Sequence, residues 1–269
     1  MKKHDSFCFC PLASGSAGNS LFVSCNEINI LIDAGLSGIE IQRRLTKIGR
    51  NPENLSAIII THEHNDHVKG AGILSRRFDI PVYMTQKTFL ACKDLGKLES
   101  LYFFECGSSF QLYTEAKLKI NITSFSISHD AIEPIGLTLE YNNHKLGMAT
   151  DLGIATTLVK NHLKNCDVLY LESNHDIDML INGSYPWYLK QRIKGRTGHL
   201  SNLDAKKLVA ELSTDKLKHV ILAHLSEENN SPQKALQEVS KGLKTSEIVL
   251  HVASPDKPGK LINLMSGVF

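Results

Sequence analysis

The hydrophobic pattern of the chain changes repeatedly between the period of a strand and the period of a helix. Short apolar stretches bounded by turn residues predict strands, and apolar side chains spaced by three or four residues predict helices. The predicted strands lie at residues 7–13, 20–33, 57–61, 82–84, 135–141, 145–149, 168–171, 219–223 and 248–251, with antiparallel strands within 101–127. The predicted helices lie at residues 38–48, 67–77, 86–94, 155–164, 202–212 and 232–242, and a short helix opens at Pro186. Since strands and helices are interspersed without repeats or low-complexity linkers, the pattern predicts one α/β (α+β) domain over residues 1–269.

The first predicted turn, Ser14 to Ser20, consists of small and polar residues. Such a segment can expose successive backbone N–H groups and bind phosphate. It can equally be an ordinary hairpin loop, and the enrichment of these residue types in turns favours the hairpin.

The strand at 57–61 is followed by four potential metal ligands within six residues, namely His62, His64, Asp66 and His67. If the strand direction continues, His62 and His64 face one point, because alternate side chains of a strand share a face. Asp66 and His67 lie at the following turn and can face a second point. Imidazole and carboxylate ligands suit Zn, Mn or Fe better than Ca or Mg. A helix N-cap would account for Asp66 but not for three histidines, so the spacing predicts two half-sites for two cations.

Other predicted strands also end in a residue that can bind a metal. Each of these residues alone is weak evidence for a metal site. Side chains from the strand ends at one edge of a sheet can, however, converge on a common cleft. These residues are Asp33, His62, His129, Asp151, Glu172 and His224.

The composition is that of an ordinary soluble globular protein, with 269 residues, 42% hydrophobic and 22% charged. No apolar run approaches the roughly 20 residues of a membrane span, and the apolar stretch near the N-terminus is too short for a signal peptide. Six cysteines without a CxxC pair are expected to be free thiols, which predicts a cytoplasmic protein. The net charge of +2 neither requires nor excludes a nucleic-acid partner.

The ligand order resembles the metallo-β-lactamase superfamily: His-x-His-x-Asp-His after an apolar strand, then an isolated His129, then Thr150-Asp151, then a late His224. The resemblance implies a four-layer αββα sandwich with the site at one edge. It also implies that one metal is held by His62, His64 and His129, and a second by Asp66, His67 and His224. Asp151 would bridge the two metals, and Asp33 would orient a ligand histidine.

Later segments resemble the extra motifs of the β-CASP nucleases within that superfamily. They are Glu172-Ser173, Thr197-Gly-His199-Leu-Ser201 and Ala223-His224-Leu-Ser226. The cap domain of those nucleases is absent, because only residues 173–198 separate the first two motifs, and this implies a more open cleft. The motifs also resemble those of the stand-alone bacterial YycJ group, also called WalJ or VicX. The chain shares with it Ser14-Gly-Ser16, Gly198-His-Leu-Ser-Asn202 and the segment from His224 to Pro232.

The activity implied by this resemblance is hydrolysis of phosphodiesters in nucleic acid, as a DNA exonuclease running 5′ to 3′. Two metals would lower the pKa of a bridging water, and the resulting hydroxide would attack phosphorus. Asp66, His199 and Glu172 would be catalytic, with Asp66 orienting the hydroxide and His199 contacting the phosphate or protonating the leaving oxygen. The rival hypotheses are a lactone or thiolester hydrolase with the same metals, and a regulatory protein whose metals are structural.

A run of basic residues, Lys190, Arg192, Lys194 and Arg196, directly precedes His199. It favours contact with a phosphate backbone, although a solvated helix face can carry the same charges. Ser201 and Asn202, within the nuclease-like motif, are further predicted phosphate contacts. Trp187, the only tryptophan, can stack on a base but is expected to pack against the domain.

Overall fold

The computed structural model describes residues 6–114 and 118–265, and within them the chain forms fourteen strands, nine α-helices and one 3-10 helix (Pro52–Asn54). The strands are β1 (Phe7–Ala13), β2 (Ser20–Cys25), β3 (Ile28–Ile32), β4 (Ala57–Ile59), β5 (Val82–Met84), β6 (Leu101–Phe103), β7 (Ser109–Tyr113), β8 (Lys119–Ser126), β9 (Ile135–Tyr141), β10 (His144–Ala149), β11 (Val168–Glu172), β12 (His219–Ala223), β13 (Val249–Val252) and β14 (Ile262–Asn263). The helices are α1 (Gly38–Lys47), α2 (Asn65–Val68), α3 (Ala71–Phe78), α4 (Gln86–Ala91), α5 (Thr157–Leu163), α6 (Ile177–Asn182), α7 (Trp187–Lys194), α8 (Asn202–Leu212) and α9 (Pro232–Ser240).

The strands form two seven-stranded sheets, in the orders β14-β1-β2-β3-β4-β5-β6 and β13-β12-β11-β10-β9-β8-β7. In the first sheet, β1 to β3 are antiparallel and β3 to β6 are parallel. In the second sheet, β7 to β10 are antiparallel and β10 to β13 are parallel. Consequently the carboxyl ends of β3 and β4 lie on the same side of the first sheet. The carboxyl ends of β8, β10, β11 and β12 likewise lie on the same side of the second.

Three hydrophobic clusters define the layers of the fold. One lies between the sheets and includes Phe9 and Leu137. A second packs helices against the outer face of the first sheet, for example through Leu45 of α1. A third packs helices against the outer face of the second sheet, for example through Leu208 of α8 and Val239 of α9. The arrangement is helix, sheet, sheet, helix, which confirms the predicted αββα sandwich.

Two hairpin turns are present, the first of them at the turn predicted from Ser14 to Ser20. Residues 14–20 connect the antiparallel strands β1 and β2, and Asn142 and Asn143 connect β9 and β10. The φ angles of Asn142 and Asn143 are 45° and 66°. Two successive positive φ angles are the requirement of a type I′ turn, which explains the two asparagines.

Three predictions about elements are wrong. Residues 101–127 do not form one antiparallel group, because β6 pairs in parallel with β5 in the first sheet, whereas β7 and β8 belong to the second. The helix predicted at 67–77 is divided into α2 and α3 by Gly70, whose N–H donates to the carbonyl of Ala34 at 2.7 Å. The segment between residue 171 and Pro186, for which no helix was predicted, contains α6. Among the helices described, none has both the length and the hydrophobicity needed to cross a lipid bilayer.

Candidate metal centre

The potential metal ligands are brought together by sharp turns at the carboxyl ends of strands. Asp33, Asp151 and His224 follow β3, β10 and β12, and their φ angles are 59°, 55° and 55°. This left-handed conformation costs about 1–3 kcal/mol for a non-glycine residue and is most tolerated by Asp, Asn and His. The turns direct these side chains across the strand ends instead of along the sheet faces. Three of the eight non-glycine residues with positive φ in the described chain therefore lie at the candidate centre.

The first group of ligands contains His62, His64 and His129, whose ligand atoms lie within 4.8 Å of one another. Nε2 of His129 is 3.3 Å from Nδ1 of His64. The other ring nitrogen of His62, Nδ1, contacts the hydroxyl of Thr61 at 3.0 Å. Two of these histidines follow β4 of the first sheet and the third follows β8 of the second, so the group joins the two sheets.

The second group contains Asp66, His67, Asp151 and His224. Nε2 of His67 is 3.5 Å from Oδ2 of Asp66 and 3.3 Å from Oδ2 of Asp151. Nε2 of His224 is 3.9 Å from Oδ2 of Asp66. Asp151 also lies 3.9 Å from Nε2 of His129 through Oδ1, which places it between the two groups. The structure thus brings all seven predicted ligands into one cluster.

Two buried carboxylates hold the remote nitrogens of ligand histidines. Oδ2 of Asp33 is 2.7 Å from Nδ1 of His67, and Oε1 of Glu172 is 2.8 Å from Nδ1 of His224. Because an ionised carboxylate only accepts hydrogen bonds, each Nδ1 carries the proton and each Nε2 is free to bind a metal. Asp33 itself accepts from the N–H of Thr61 at 2.9 Å, so its orientation is fixed by the backbone.

Burial and charge set the protonation of the centre in the metal-free protein. Burial and the neighbouring His67 and His129 lower the pKa of His62 well below its ordinary value. Burial also opposes the charged form of His67 and His224, but carboxylates outweigh it. Asp33 and Asp151 raise the pKa of His67 well above its ordinary value, and Asp151 and Glu172 raise the pKa of His224 to about 9. Protons therefore balance the buried carboxylates, and a divalent cation can take their place.

Two buried atoms in this cluster test whether the residues suit a metal. Within the described residues, Nε2 of His62 and Oδ2 of Asp151 have no hydrogen-bond partner. An unpartnered buried polar atom is costly, by about 1–3 kcal/mol, and natural proteins rarely keep one without a reason. Both atoms are of ligand type, and both belong to one group of three ligands, with His67. The donor set therefore fits divalent metal ions.

Asn19, in the turn between β1 and β2, supports the centre and was not predicted as a site residue. Its amide nitrogen lies 3.1 Å from Oδ2 of Asp66 and 3.1 Å from Nε2 of His67. Gly35 allows the approach, because a Cβ atom there would lie 1.6 Å from the carbonyl oxygen of Asp66. The predicted hairpin turn is therefore also a wall of the centre. The sequence carries no spacing signal for this role, since residues 19 and 66 meet only in the folded chain.

His199 and His224 share one carboxylate oxygen. Oε1 of Glu172 is 2.9 Å from Nδ1 of His199 and 2.8 Å from Nδ1 of His224. The other oxygen of Glu172 accepts from the N–H groups of Leu152 and Leu200 at 2.8 and 2.9 Å. Glu172 is fully buried, so it orients the two histidines instead of touching a substrate. Burial lowers the pKa of His199, but Glu172 outweighs this effect and raises it above the ordinary value.

A cavity of about 190 Å³ lies beside this pair and is lined by His199 and His224 together with Ser16 of the first turn and Arg192 of α7. It borders the candidate centre on the side of His199 and His224. The predicted basic residues differ in their relation to it. Arg192 binds Oδ2 of Asp130 through two nitrogens, at 2.7 and 2.6 Å. Lys194 and Arg196 have exposed side chains.

Three residues that were predicted to contact phosphate make hydrogen bonds within the protein instead. The ammonium group of Lys190 donates to the carbonyls of Ile181 and Gly183 at 2.8 and 2.7 Å, which closes the end of α6. Ser201 caps α8 and bonds Asp204, and Asn202 is buried and bonds Asn230 at 2.9 Å. Phosphate contact through these side chains would break these hydrogen bonds, so the structure favours a scaffolding role for all three. The expectation that Trp187 packs against the domain is also wrong, because its side chain is 67% exposed.

Residues 28–225 of the chain match the family described as the β-lactamase superfamily domain. The chain is 39% identical over 262 residues to exodeoxyribonuclease YycJ of Bacillus anthracis, covering 94% of this chain and 97% of that protein. It is 40% identical over 224 residues to exodeoxyribonuclease WalJ of Streptococcus pneumoniae, covering 81% of each. Among solved structures, the metallo-β-lactamase fold protein YhfI from Bacillus subtilis superposes with a TM-score of 0.70 at 17% identity, covering 96% of this chain and 99% of YhfI.

Proposed function

The chain belongs to the metallo-β-lactamase superfamily, and from this membership we propose that it is a metal-dependent exodeoxyribonuclease that shortens DNA from the 5′ end. The observation that carries the proposal is the cluster of seven candidate ligands in a chain that is similar over nearly its whole length to a protein named exodeoxyribonuclease. Those names also support DNA over RNA as the substrate.

The donor set supports two divalent ions, zinc or manganese, with iron as a further candidate. His62, His64 and His129 would hold one ion, and Asp66, His67 and His224 the other, with Asp151 between them. When bound, the ions would supply a nucleophile from water near neutral pH and neutralise charge on the phosphate. Asp33 and Glu172 keep His67 and His224 in the tautomer that can bind a metal. Asp66, held by Asn19, orients the attacking water.

His199 is the proposed proton donor to the leaving oxygen. Its Nδ1 is occupied by Glu172, which leaves Nε2 as the nitrogen available to a substrate in the adjoining cavity. The raised pKa keeps the ring protonated at a higher pH than a free histidine, as a general acid requires. Lys194 and Arg196, which are exposed, bind phosphates of the DNA strand. Arg192 can add to them only through the N–H groups that Asp130 does not occupy.

We further propose that residues 1–269 form one domain and that the protein acts in the cytoplasm. Both sheets contribute to one shared core, which supports the first point. The six cysteines are free in the structure, and reduced thiols are typical of the cytoplasm.

A panel of end-labelled DNA and RNA oligonucleotides, single- and double-stranded and tested with Mn²⁺ and Zn²⁺, checks the proposal. We expect stepwise shortening from the 5′ end of DNA, with RNA degraded more slowly. His62→Ala should abolish the activity, whereas His144→Ala should retain it, because His144 pairs with Asp167 away from the centre. A metal-loaded protein that leaves DNA intact but hydrolyses lactones or thiolesters would overturn the nuclease proposal.

A further inference from the structure

The cavity of about 190 Å³ that borders the candidate centre is lined by two kinds of side chain. Leu189 and Ile193 of α7 contribute aliphatic groups. Ser16, from the turn between β1 and β2, and Ser226, which follows β12, contribute hydroxyl groups. The two serines thus come from the ends of different sheets and meet at one cavity.

Both serines have hydrogen-bonding capacity that the protein does not use. Ser16 is exposed, and neither its N–H nor its hydroxyl has a hydrogen-bond partner within the described residues. Ser226 is buried, and its hydroxyl oxygen accepts from the N–H of Asn229 at 3.1 Å. A hydroxyl group also carries a donor, and that of Ser226 has no acceptor in the described chain. Because a buried donor without an acceptor is costly, we expect the cavity to hold an acceptor.

Hydrogen bonds fix the two serines relative to the candidate ligand His224. Ser226 comes two residues after His224, and its N–H donates to the carbonyl of Asn174 at 2.8 Å. Ser16 comes two residues after Ser14, whose hydroxyl accepts from the N–H of His224 at 2.7 Å. Donors that are held in this way do not need to reorganise when charge develops on a substrate.

The size and the charge of the cavity suit one small anion. Its volume is below the roughly 300–1,000 Å³ of pockets that enclose drug-sized ligands, so it fits a phosphate group and not a whole nucleotide. Burial lowers the pKa of His199, but the carboxylate of Glu172 outweighs burial and raises it, which keeps this ring positively charged to a higher pH. Asp130 also lines the cavity, and its charge is balanced by Arg192 at 2.7 and 2.6 Å.

We propose that Ser16 and Ser226 bind a non-bridging oxygen of the phosphate that is hydrolysed, an inference that rests on the proposed nuclease function. This phosphate must lie within reach of His199, the proposed proton donor, and the cavity adjoins that side chain. Negative charge is spread over the non-bridging oxygens during the transfer. Fixed donors in a partly apolar cavity stabilise this charge better than water does. The turn from Ser14 to Ser20 is then both a hairpin and a phosphate contact.

Kinetics on bis(p-nitrophenyl) phosphate test the contact, because this ester contains the reacting phosphate and no strand. In metal-loaded Ser16→Ala we expect kcat to fall by roughly tenfold to a hundredfold, less than the 10²–10³-fold typical of a lost oxyanion-hole donor, because the other donors remain. Ser16→Thr keeps a hydroxyl and should restore turnover. Metal content and melting temperature should not change in Ser16→Ala, since this side chain is exposed. Ser226→Ala should also lower kcat, but it removes the acceptor of Asn229 as well, so Ser16→Ala is the deciding variant.

Calorimetric titration with inorganic phosphate gives a readout that is independent of turnover. Ser16→Ala should bind phosphate roughly tenfold more weakly than the wild type, as expected for one lost hydrogen bond to a charged group. The matched control is Ser20→Ala, which removes a hydroxyl from the other end of the same turn. Ser20 is buried and does not line the cavity. Its variant should equal the wild type in both turnover and phosphate affinity.

The outcomes distinguish this inference from the function on which it rests. If the wild type cleaves neither DNA nor the small ester, the nuclease proposal fails and the serine contact fails with it. If the wild type cleaves both and Ser16→Ala keeps wild-type turnover and phosphate affinity, only the serine contact fails. If Ser16→Ala impairs cleavage of DNA but not of the small ester, the cavity holds a neighbouring phosphate of the strand, and the contact with the reacting phosphate is wrong.

Discussion

The metal centre and α7 are neighbours in the fold, yet they are built in different ways. Most ligands of the centre are buried, and the remote nitrogens of His67 and His224 are fixed by carboxylates. The eight residues of α7 include no buried side chain, and the helix is held mainly by polar contacts at its ends. One region is a mostly buried arrangement of candidate ligands, and the other is a solvated surface of rings and cations.

The difference suits two separate tasks, hydrolysis at the centre and binding of the strand at α7. A hydrolytic centre gains from fixed ligands, because a preorganised site does not need to reorganise during the reaction. A surface that holds a moving strand needs contacts that form and break readily, which exposed cations in water provide. We therefore expect changes in the centre to act on metal content and turnover, and changes on α7 to act on binding and its salt dependence.

The largest effect is expected for His67→Ala. The change removes a ligand and leaves the carboxylate of Asp33 buried without its partner, which typically costs about 3–5 kcal/mol. Metal content measured by atomic emission should fall, nuclease activity should become undetectable and the melting temperature should drop. A variant that keeps both its metal and its activity would contradict the role of His67 as a ligand.

An intermediate effect is expected for His199→Ala, which removes the proposed proton donor but no ligand of the predicted set. Metal content should stay at the wild-type level, and turnover should fall by roughly 10²–10⁴-fold. The raised pKa of His199 means that the wild type keeps its acid protonated above the ordinary value and loses activity only as the pH rises through the raised value. This alkaline limb of the pH–rate profile should be absent from the variant. Unchanged turnover with full metal would exclude the role of His199.

The smallest effect is expected for the double variant Lys194→Ala with Arg196→Ala, since both side chains are exposed. Binding of single-stranded DNA should weaken, and the slope of log affinity against log salt concentration should flatten by about 0.7 for each lost phosphate contact. Turnover of bis(p-nitrophenyl) phosphate should not change. The double variant Lys206→Ala with Lys207→Ala, on α8, is a charge-matched control. An unaltered salt slope would mean that the basic run is only a solvated face.

The spacing of the sequence was enough to predict that the contiguous candidate ligands lie together. His62, His64, Asp66 and His67 follow one strand, and the local geometry of strand and turn is enough to place them. The dispersed ligands His129, Asp151 and His224 were recognised as strand ends, but their convergence depends on the order of strands within the second sheet. Short-range patterns do not contain that order, and the resemblance to a known family supplied it.

Other features depend on contacts between distant parts of the chain. Asn19 reaches Asp66 only because β1, β2 and the turn after β4 meet in the folded sheet. The strand β6 has three residues, too few for its pattern to show that it joins the first sheet. Hydrophobicity favoured a packed Trp187, and its exposure follows from the absence of any facing element over the outer side of α7 within the described chain.

The first group of ligands joins the two sheets, since His62 and His64 come from one sheet and His129 from the other. A bound ion there would cross-link the two sheets at the edge of the sandwich. Ligand binding to the native state alone adds about 2.7 kcal/mol at a concentration one hundred times the dissociation constant. Metal concentration would then determine how readily the two sheets separate at this edge. Chelation would destabilise the edge, while the hydrophobic core between the sheets still holds them together.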